Sequence, residues 1–167
     1  MISFSMVRDP SRDHLYSMAK IFVEAFSGAP WYETWEIQSA IAYLHSQIAD
    51  GEIAIVEVES QIAGFSIGLP LIKHKDSKDM ISNGAKSWDY YISEVAVSIR
   101  FQGKGVAKQL VRGITGHGLS IHPNVTLRTR ADHDHMIHLM TSLQFKKIAV
   151  YEAESGGVRS DRVLLRR

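Results

Sequence analysis

The chain has no cysteine among its 167 residues, which removes disulfides, thiolate metal sites and a cysteine nucleophile together. Redox chemistry therefore gives no clue to its compartment. Net charge is also nearly absent: 19 Lys and Arg against 18 Asp and Glu leave +1, so no general field draws nucleic acid or an anionic membrane. No uninterrupted apolar run is long enough to cross a bilayer, and residues 1–9 lack a basic stretch followed by a long apolar one. The expectation is a soluble, cytoplasmic protein with no nucleic-acid or membrane partner. Internal repeats, low-complexity tracts and linkers are missing too, and the length suits a single domain over residues 1–167 with a substantial core.

What is present is a succession of periodic segments. Residues 2–7 alternate as a strand, and Asp9, Pro10 and Ser11 form a turn that caps a helix through Phe26, with Leu15, Met18, Ile21, Phe22 and Ala25 on its apolar face. Ser27, Gly28, Ala29 and Pro30 break that helix. A second helical pattern covers 35–49, with Thr34 as its expected N-cap and Asp50 and Gly51 at its end. Residues 53–59 and 62–69 read as two strands of an antiparallel hairpin turning near Ser60 and Gln61, and the polar stretch 73–87 as a loop or short helix. Residues 90–98 carry the β-branched and aromatic side chains of a strand, while Val106, Leu110 and Ile114 recur at a helical period. A strand over 125–130, a helix over 133–145 and strands over 147–152 and 162–165 complete the order.

Between the strand 90–98 and the next helix lies Gln102-Gly103-Lys104-Gly105-Val106-Ala107. Glycine lets a backbone approach a ligand, and the first N–H groups of a helix point together at an anion, so the run reads as a loop that cradles phosphate. Spacing separates the kinds of loop. A Walker A loop needs Ser or Thr after Gly-Lys, where Gly105 stands, and a dinucleotide fingerprint needs a third small residue where Lys108 stands. The pattern Gln/Arg-x-x-Gly-x-Gly/Ala is satisfied by Gln102, Gly105 and Ala107, and it resembles the pyrophosphate loop of the GNAT superfamily of acyl-CoA-dependent N-acyltransferases. Taken alone, the six residues read by default as a glycine-rich turn that merely starts a helix. The element order carries the resemblance across nearly the whole chain: in the later helix Leu139, Leu143 and Phe145 keep the family residues, while His133, Met136, Met140 and Gln144 replace its Asn, Ala, Tyr and Gly.

The resemblance implies an α+β layered fold, a GNAT-like mixed and mostly antiparallel sheet flanked by helices, with a splayed central crevice between strands 90–98 and 125–130. It implies acetyl-CoA as cosubstrate. Backbone at Val95, Ala96 and Val97 would hold the pantetheine arm, N–H groups of Gln102, Gly103, Lys104, Gly105, Val106 and Ala107 the pyrophosphate, and His133 would be a polar group near the coenzyme. The implied activity is transfer of an acetyl group to a primary amine on a small molecule or metabolite. A protein or peptide amine and a non-catalytic acyl-CoA-binding regulatory module are the alternatives, and pairing as a homodimer is common among small members.

Acetylating an amine needs a base, an oxyanion donor and a leaving thiolate. A primary amine with a pKa near ~10.4 is almost wholly protonated at neutral pH. Glu94 is the leading base, amid apolar neighbours that raise a carboxyl pKa, with Tyr91 and Ser93 as alternatives on the same strand; the bland reading of Glu94 is a solvated carboxylate. Val95 N–H is the expected oxyanion donor. Met140 cannot donate a proton to the leaving sulfur, so that role falls to Thr141, Ser142 or water. Trp31, Tyr32, Glu33 and Trp35, in the connection between the first two helices, suit a cationic acceptor, since aromatic faces attract ammonium. The same residues alternatively staple two helices to the sheet. Of His133, His135 and His138 only the last two share a helix face, so no metal is expected, and Asp132 is the expected cap of that helix.

Overall fold

Ser11 opens the first helix. In the computed structural model, which describes residues 1–155 and 157–167, its hydroxyl accepts from the His14 N–H at 3.1 Å and its own N–H donates to the His14 ring. Two orphan donors of α1 (Arg12–Ser27) are thereby satisfied, with histidine in the place a Glu or Gln usually takes. The second helix, α2 (Ile37–Ile48), begins two residues later than expected, and its N-cap is Glu36, with no side-chain cap bond, rather than Thr34. Tertiary packing is the reason: the Trp35 ring lies 5.1 Å from Phe22 and 5.3 Å from Tyr43, which holds the chain extended there.

Strand β1 (Ile2–Val7) has the expected bounds and pairs antiparallel with β2 (Glu52–Val58). The hairpin into β3 (Gln61–Pro70) turns at Glu59 and Ser60, one residue earlier than expected, with φ of 51° and 64°. Positive φ at both positions matches the right-handed twist of the flanking strands. A 3-10 turn at Leu71–Lys73 and α3 (Ser77–Ser82) lead to β4 (Tyr90–Val97). A further 3-10 turn, Ile99–Phe101, precedes α4 (Val106–Ile121), β5 (Val125–Arg130), α5 (Asp134–Ser142), β6 (Lys146–Ser155) and β7 (Val158–Arg166). Among the described residues seven strands lie in the order β1-β2-β3-β4-β5-β7-β6, a mostly antiparallel sheet with β4 and β5 parallel. Among the described residues no helix is long and apolar enough to cross a membrane.

Packing divides the chain into two compact units, each made of two stretches: Met1–Gly68 with Glu94–Ile114, and Leu69–Ser93 with Thr115–Arg167. In the first, Met18, Ala19, Ile21 and Phe22 of α1 and Ala40 and Leu44 of α2 bury themselves against Ile53 and Ile55 of β2, Phe65 and Ile67 of β3 and Ala96 of β4. The helical period on one side and the two-residue period on the other bring these apolar sets together. In the second, Leu69, Leu71, Met80, Ala85, Tyr91 and Leu164 form the core. Buried Asp89 there accepts from Thr126 Oγ1 (2.9 Å), Asn124 Nδ2 (3.0 Å) and the Lys86 N–H (2.9 Å), which fastens the start of β4 beside β5. Their parallel register runs from Tyr90↔Val125 to Ile92↔Leu127.

Candidate active site

The first unit brings the C-terminal half of β4, the loop after it and the aromatic connection between α1 and α2 into one body. The β4 backbone is fixed from β3: Ser66 Oγ donates to the Glu94 carbonyl at 2.8 Å, and the Ser98 N–H donates to the Ala63 carbonyl at 2.9 Å. Gly64 makes the close approach possible, because a Cβ at that position would lie 2.8 Å from the Ala96 carbonyl oxygen. Val95, Ala96 and Val97 follow Glu94 on this held strand, beyond the last β4–β5 pair.

After β4, the Glu24 carboxylate of α1 accepts from the Ile99 N–H at 3.1 Å, and the Phe101 and Gln102 N–H groups turn back to Ser98 and Ile99. The Gln102 N–H is thus engaged in the turn, at 3.3 Å, and the run of donors available to an anion begins after it. Gly103 and Gly105 take φ of 74° and 80°, a region glycine enters without strain, and no atom lies within 4 Å of where a Cβ would stand on either. The Gly105 carbonyl accepts the first α4 bond, from the Gln109 N–H at 3.1 Å. The next N–H groups open the helix without intrahelical acceptors. An exposed loop with two open glycine faces at the positive end of a 16-residue helix fits a pyrophosphate. Lys104 rests its ammonium 5.3 Å from the Phe101 ring, at the rim of that loop.

Glu94 is 9% exposed. Its Oε1 accepts from the Tyr43 phenol of α2 at 2.5 Å. Tyr43 was not among the residues expected at the site; as one tyrosine beside an apolar helical stripe it carries no signal of a partner on a distant strand. Of the expected acceptor residues, Trp31 and Trp35 pack against Phe26 and Phe22, Glu33 accepts from the Trp35 indole N–H at 2.8 Å, and Tyr32 is exposed with φ of 51°. This segment clamps the two helices, and its Trp35 ring lies 5.3 Å from Tyr43.

The other expected residues belong to the second unit. His133 precedes α5, its Nδ1 lies 3.1 Å from Thr129 Oγ1, and burial, reinforced by His135, holds its ring below the usual histidine pKa. Asp132 does not cap the helix. It pairs at two points with Arg130, at 2.9 and 2.8 Å, a charge-assisted fork stronger than a cap bond, and this hydrogen bonding lowers its pKa. Met140 is fully buried, while Thr141 and Ser142 donate their hydroxyl protons to the Ile137 and Leu139 carbonyls. Tyr91 is buried with its ring 4.8 Å from His74. Gln144 takes φ of 70° at the end of α5, where the Phe145 N–H bonds the Met140 carbonyl and the Gln144 N–H bonds the Thr141 carbonyl, the position that favours glycine.

The family model described as Acetyltransferase (GNAT) family matches residues 15–145. No curated protein sequence matches the chain. Among solved structures, an N-acetyltransferase from Staphylococcus aureus Mu50 is similar at 15% identity with a TM-score of 0.73, covering 100% of this chain and 98% of that one. The structure of yncA from Salmonella typhimurium, solved with its cofactor acetyl-CoA, has 13% identity and a TM-score of 0.73 over 99% of this chain and 92% of that one. Ribosomal-protein-alanine N-acetyltransferase from Brucella melitensis has 14% identity and a TM-score of 0.73, covering 100% and 98%. At these identities the likeness is one of fold.

Proposed function

The chain belongs to the GNAT acetyltransferase family, and from that premise we propose that it transfers the acetyl group of acetyl-CoA to a primary amine on a small molecule or metabolite, with Glu94 as the base. Acetyl-CoA, the donor this family uses, supplies a thioester carbonyl open to attack by a neutral nitrogen. The observation that carries the reading is the Glu94 carboxylate, 9% exposed, hydrogen-bonded at 2.5 Å and directly preceding Val95, Ala96 and Val97 on β4. Glu94 takes the amine proton, directly or through water, as the new N–C bond forms. Main-chain N–H groups of β4, Val95 first among them, donate to the oxygen on which charge develops. Breaking the C–S bond releases a thiolate with a pKa near ~8.5, a tolerable leaving group that needs less help from an acid than an amine would.

The N–H groups of Gly103 through Ala107 hold the donor's pyrophosphate. Trp31, Tyr32, Glu33 and Trp35 form the acceptor side, where aromatic faces and a carboxylate favour a cation. Residues 1–167 act as one catalytic domain in the cytoplasm. A protein N-terminal amine is the second acceptor class, since one protein of similar fold is named for acetylating ribosomal-protein alanine. Thiol release from acetyl-CoA, followed against panels of small primary amines and of peptides with a free N-terminus and with products identified by mass, tests the reading. A small-amine product whose formation falls in Glu94→Gln supports it. Acetylation confined to peptides transfers the reading to a protein acceptor, and no product from either panel by protein that still binds acetyl-CoA refutes amine transfer.

A further inference from the structure

Tyr43 packs as a phenylalanine would: its ring lies 5.5 Å from Phe22 and 5.3 Å from Trp35, and those two rings meet edge to face at 5.1 Å. The hydroxyl is what packing does not require, and it reaches Glu94 Oε1 at 2.5 Å. We infer that Tyr43 is a positioning residue that aims the Glu94 carboxylate and holds it ionised, ready to take a proton from the acceptor amine. The inference rests on the reading of Glu94 as the base.

Both ends of the contact are held in place. On the donor side the aromatic walls limit the Tyr43 ring, and Trp35 is in turn tied through its indole N–H to Glu33 at 2.8 Å. On the acceptor side the Glu94 main chain is pinned by Ser66 Oγ at 2.8 Å. With one carboxylate oxygen engaged by a phenol on a rigid helix, the plane and direction of the group are set, and positional precision of this kind is what proton transfer from a bound amine needs. The chemistry of the pair fits as well. A phenol with an ordinary pKa near ~10 keeps its proton at neutral pH, so toward a carboxylate it is a donor, and donation to the charged form favours that form. Burial works in the opposite direction. The titratable groups on neighbouring elements have their own engagements: Glu24 of α1 accepts from the Ile99 N–H at 3.1 Å, and Glu33 from Trp35. The phenol of α2, donating to Glu94 Oε1, counters burial there.

Glutamate labelled with carbon-13 at Cδ lets the Glu94 carboxylate be titrated by NMR without any acceptor, its signal assigned by its loss in Glu94→Gln. In Tyr43→Phe the Glu94 midpoint should rise by about one to two pH units, the loss of one hydrogen bond to a charged group, with acetyl-CoA affinity unchanged in calorimetric titration. The acid limb of kcat/KM for the amine should move upward by the same interval. A midpoint equal to the parent's in folded Tyr43→Phe overturns the inference, whatever Glu94→Gln does to turnover. A raised midpoint together with a fully active Glu94→Gln overturns the base reading instead and removes the catalytic meaning of the pair. Should Tyr43→Phe fail to fold, replacing tyrosine by 3-fluorotyrosine, a more acidic and stronger donor, should lower the midpoint; an unmoved midpoint there is equally fatal.

Discussion

Replacing Gly105 by alanine should weaken acetyl-CoA binding as well as the fold, and Gly157 supplies the matched control, in which the fold alone is weakened. The two glycines have φ of 80° and 78°, and neither has an atom within 4 Å of an added Cβ. The folding cost of alanine at either position is then that of the left-handed conformation alone, about 1–2 kcal/mol, or a fall of about 2–8 °C in Tm for a chain of this length. Only at Gly105 would the methyl group stand on the face where a pyrophosphate meets the backbone. Losing one charge-assisted hydrogen bond there costs about 1.5–3 kcal/mol, which raises Kd about tenfold to a hundredfold. Thermal melting and calorimetric titration with acetyl-CoA read the two effects separately. Parent affinity in a folded Gly105→Ala protein, or an equal loss of affinity in Gly157→Ala, would refute the assignment of the loop.

Gly64→Ala should cost about 1–3 kcal/mol, because its Cβ would lie 2.8 Å from the Ala96 carbonyl and 3.0 Å from Val106 Cγ1; a Tm equal to the parent's would show that β3 and β4 can part there without penalty. Gln144→Gly should stabilise by up to about 1 kcal/mol, since relief at φ of 70° outweighs the added freedom of the unfolded chain, and a lowered Tm contradicts this. His74 contributes to the loss of stability on the acid side. Burial, with Arg128 assisting and Asp76 opposing, lowers its pKa from 6.5 to about 4, and the Asp76 N–H donates to its Nδ1 at 3.1 Å, which fits a neutral ring. The unfolded chain therefore binds the proton first as pH falls. The contribution is complete above pH 6.5 and is lost between 6.5 and 4 at up to about 1.4 kcal/mol per pH unit. Denaturant titrations of His74→Gln across that window should show a shallower slope, and an unaltered slope sinks the assignment.

The parts of this molecule that could be read in its sequence are those whose cause lies within a few residues. Residues 2–7 alternate and form β1 with those bounds, and Ser11 caps α1 through a residue three positions away. The geometry of the proposed phosphate loop has a local cause too, since it is carried by consecutive backbone groups and two glycines at positive φ. Misreadings arose where a distant partner decides. Strands β6 and β7 run longer than their apolar stretches because polar residues continue the ladder, as in the Glu154↔Arg159 and Glu152↔Asp161 pairs. Asp132 is the exception, a misreading with a local cause: it has a capping residue's chemistry, yet the Arg130 guanidinium two positions away captures it. The proposed acid–base pair is only half visible in the sequence: Glu94 can be nominated from its strand, but its phenol donor is 51 residues away.

Trp35 joins the largest local misreading to the site. Its apolar ring fits the helical period, which is why the second helix is expected to include it, and its neighbour Thr34 has a capping side chain. In the fold that ring lies against Phe22 and Tyr43 while its N–H is held by Glu33, and the helix starts only at Ile37. Withdrawing Trp35 from the helix forgoes at most a few tenths of a kcal/mol of propensity, whereas burying and pairing an indole is worth about 1 kcal/mol or more beyond that. Packing wins by magnitude. The ring that shortens α2 is also the wall that holds Tyr43 in line with Glu94, so the departure from local preference falls beside the proposed base, where a site that must be rigid has most use for it.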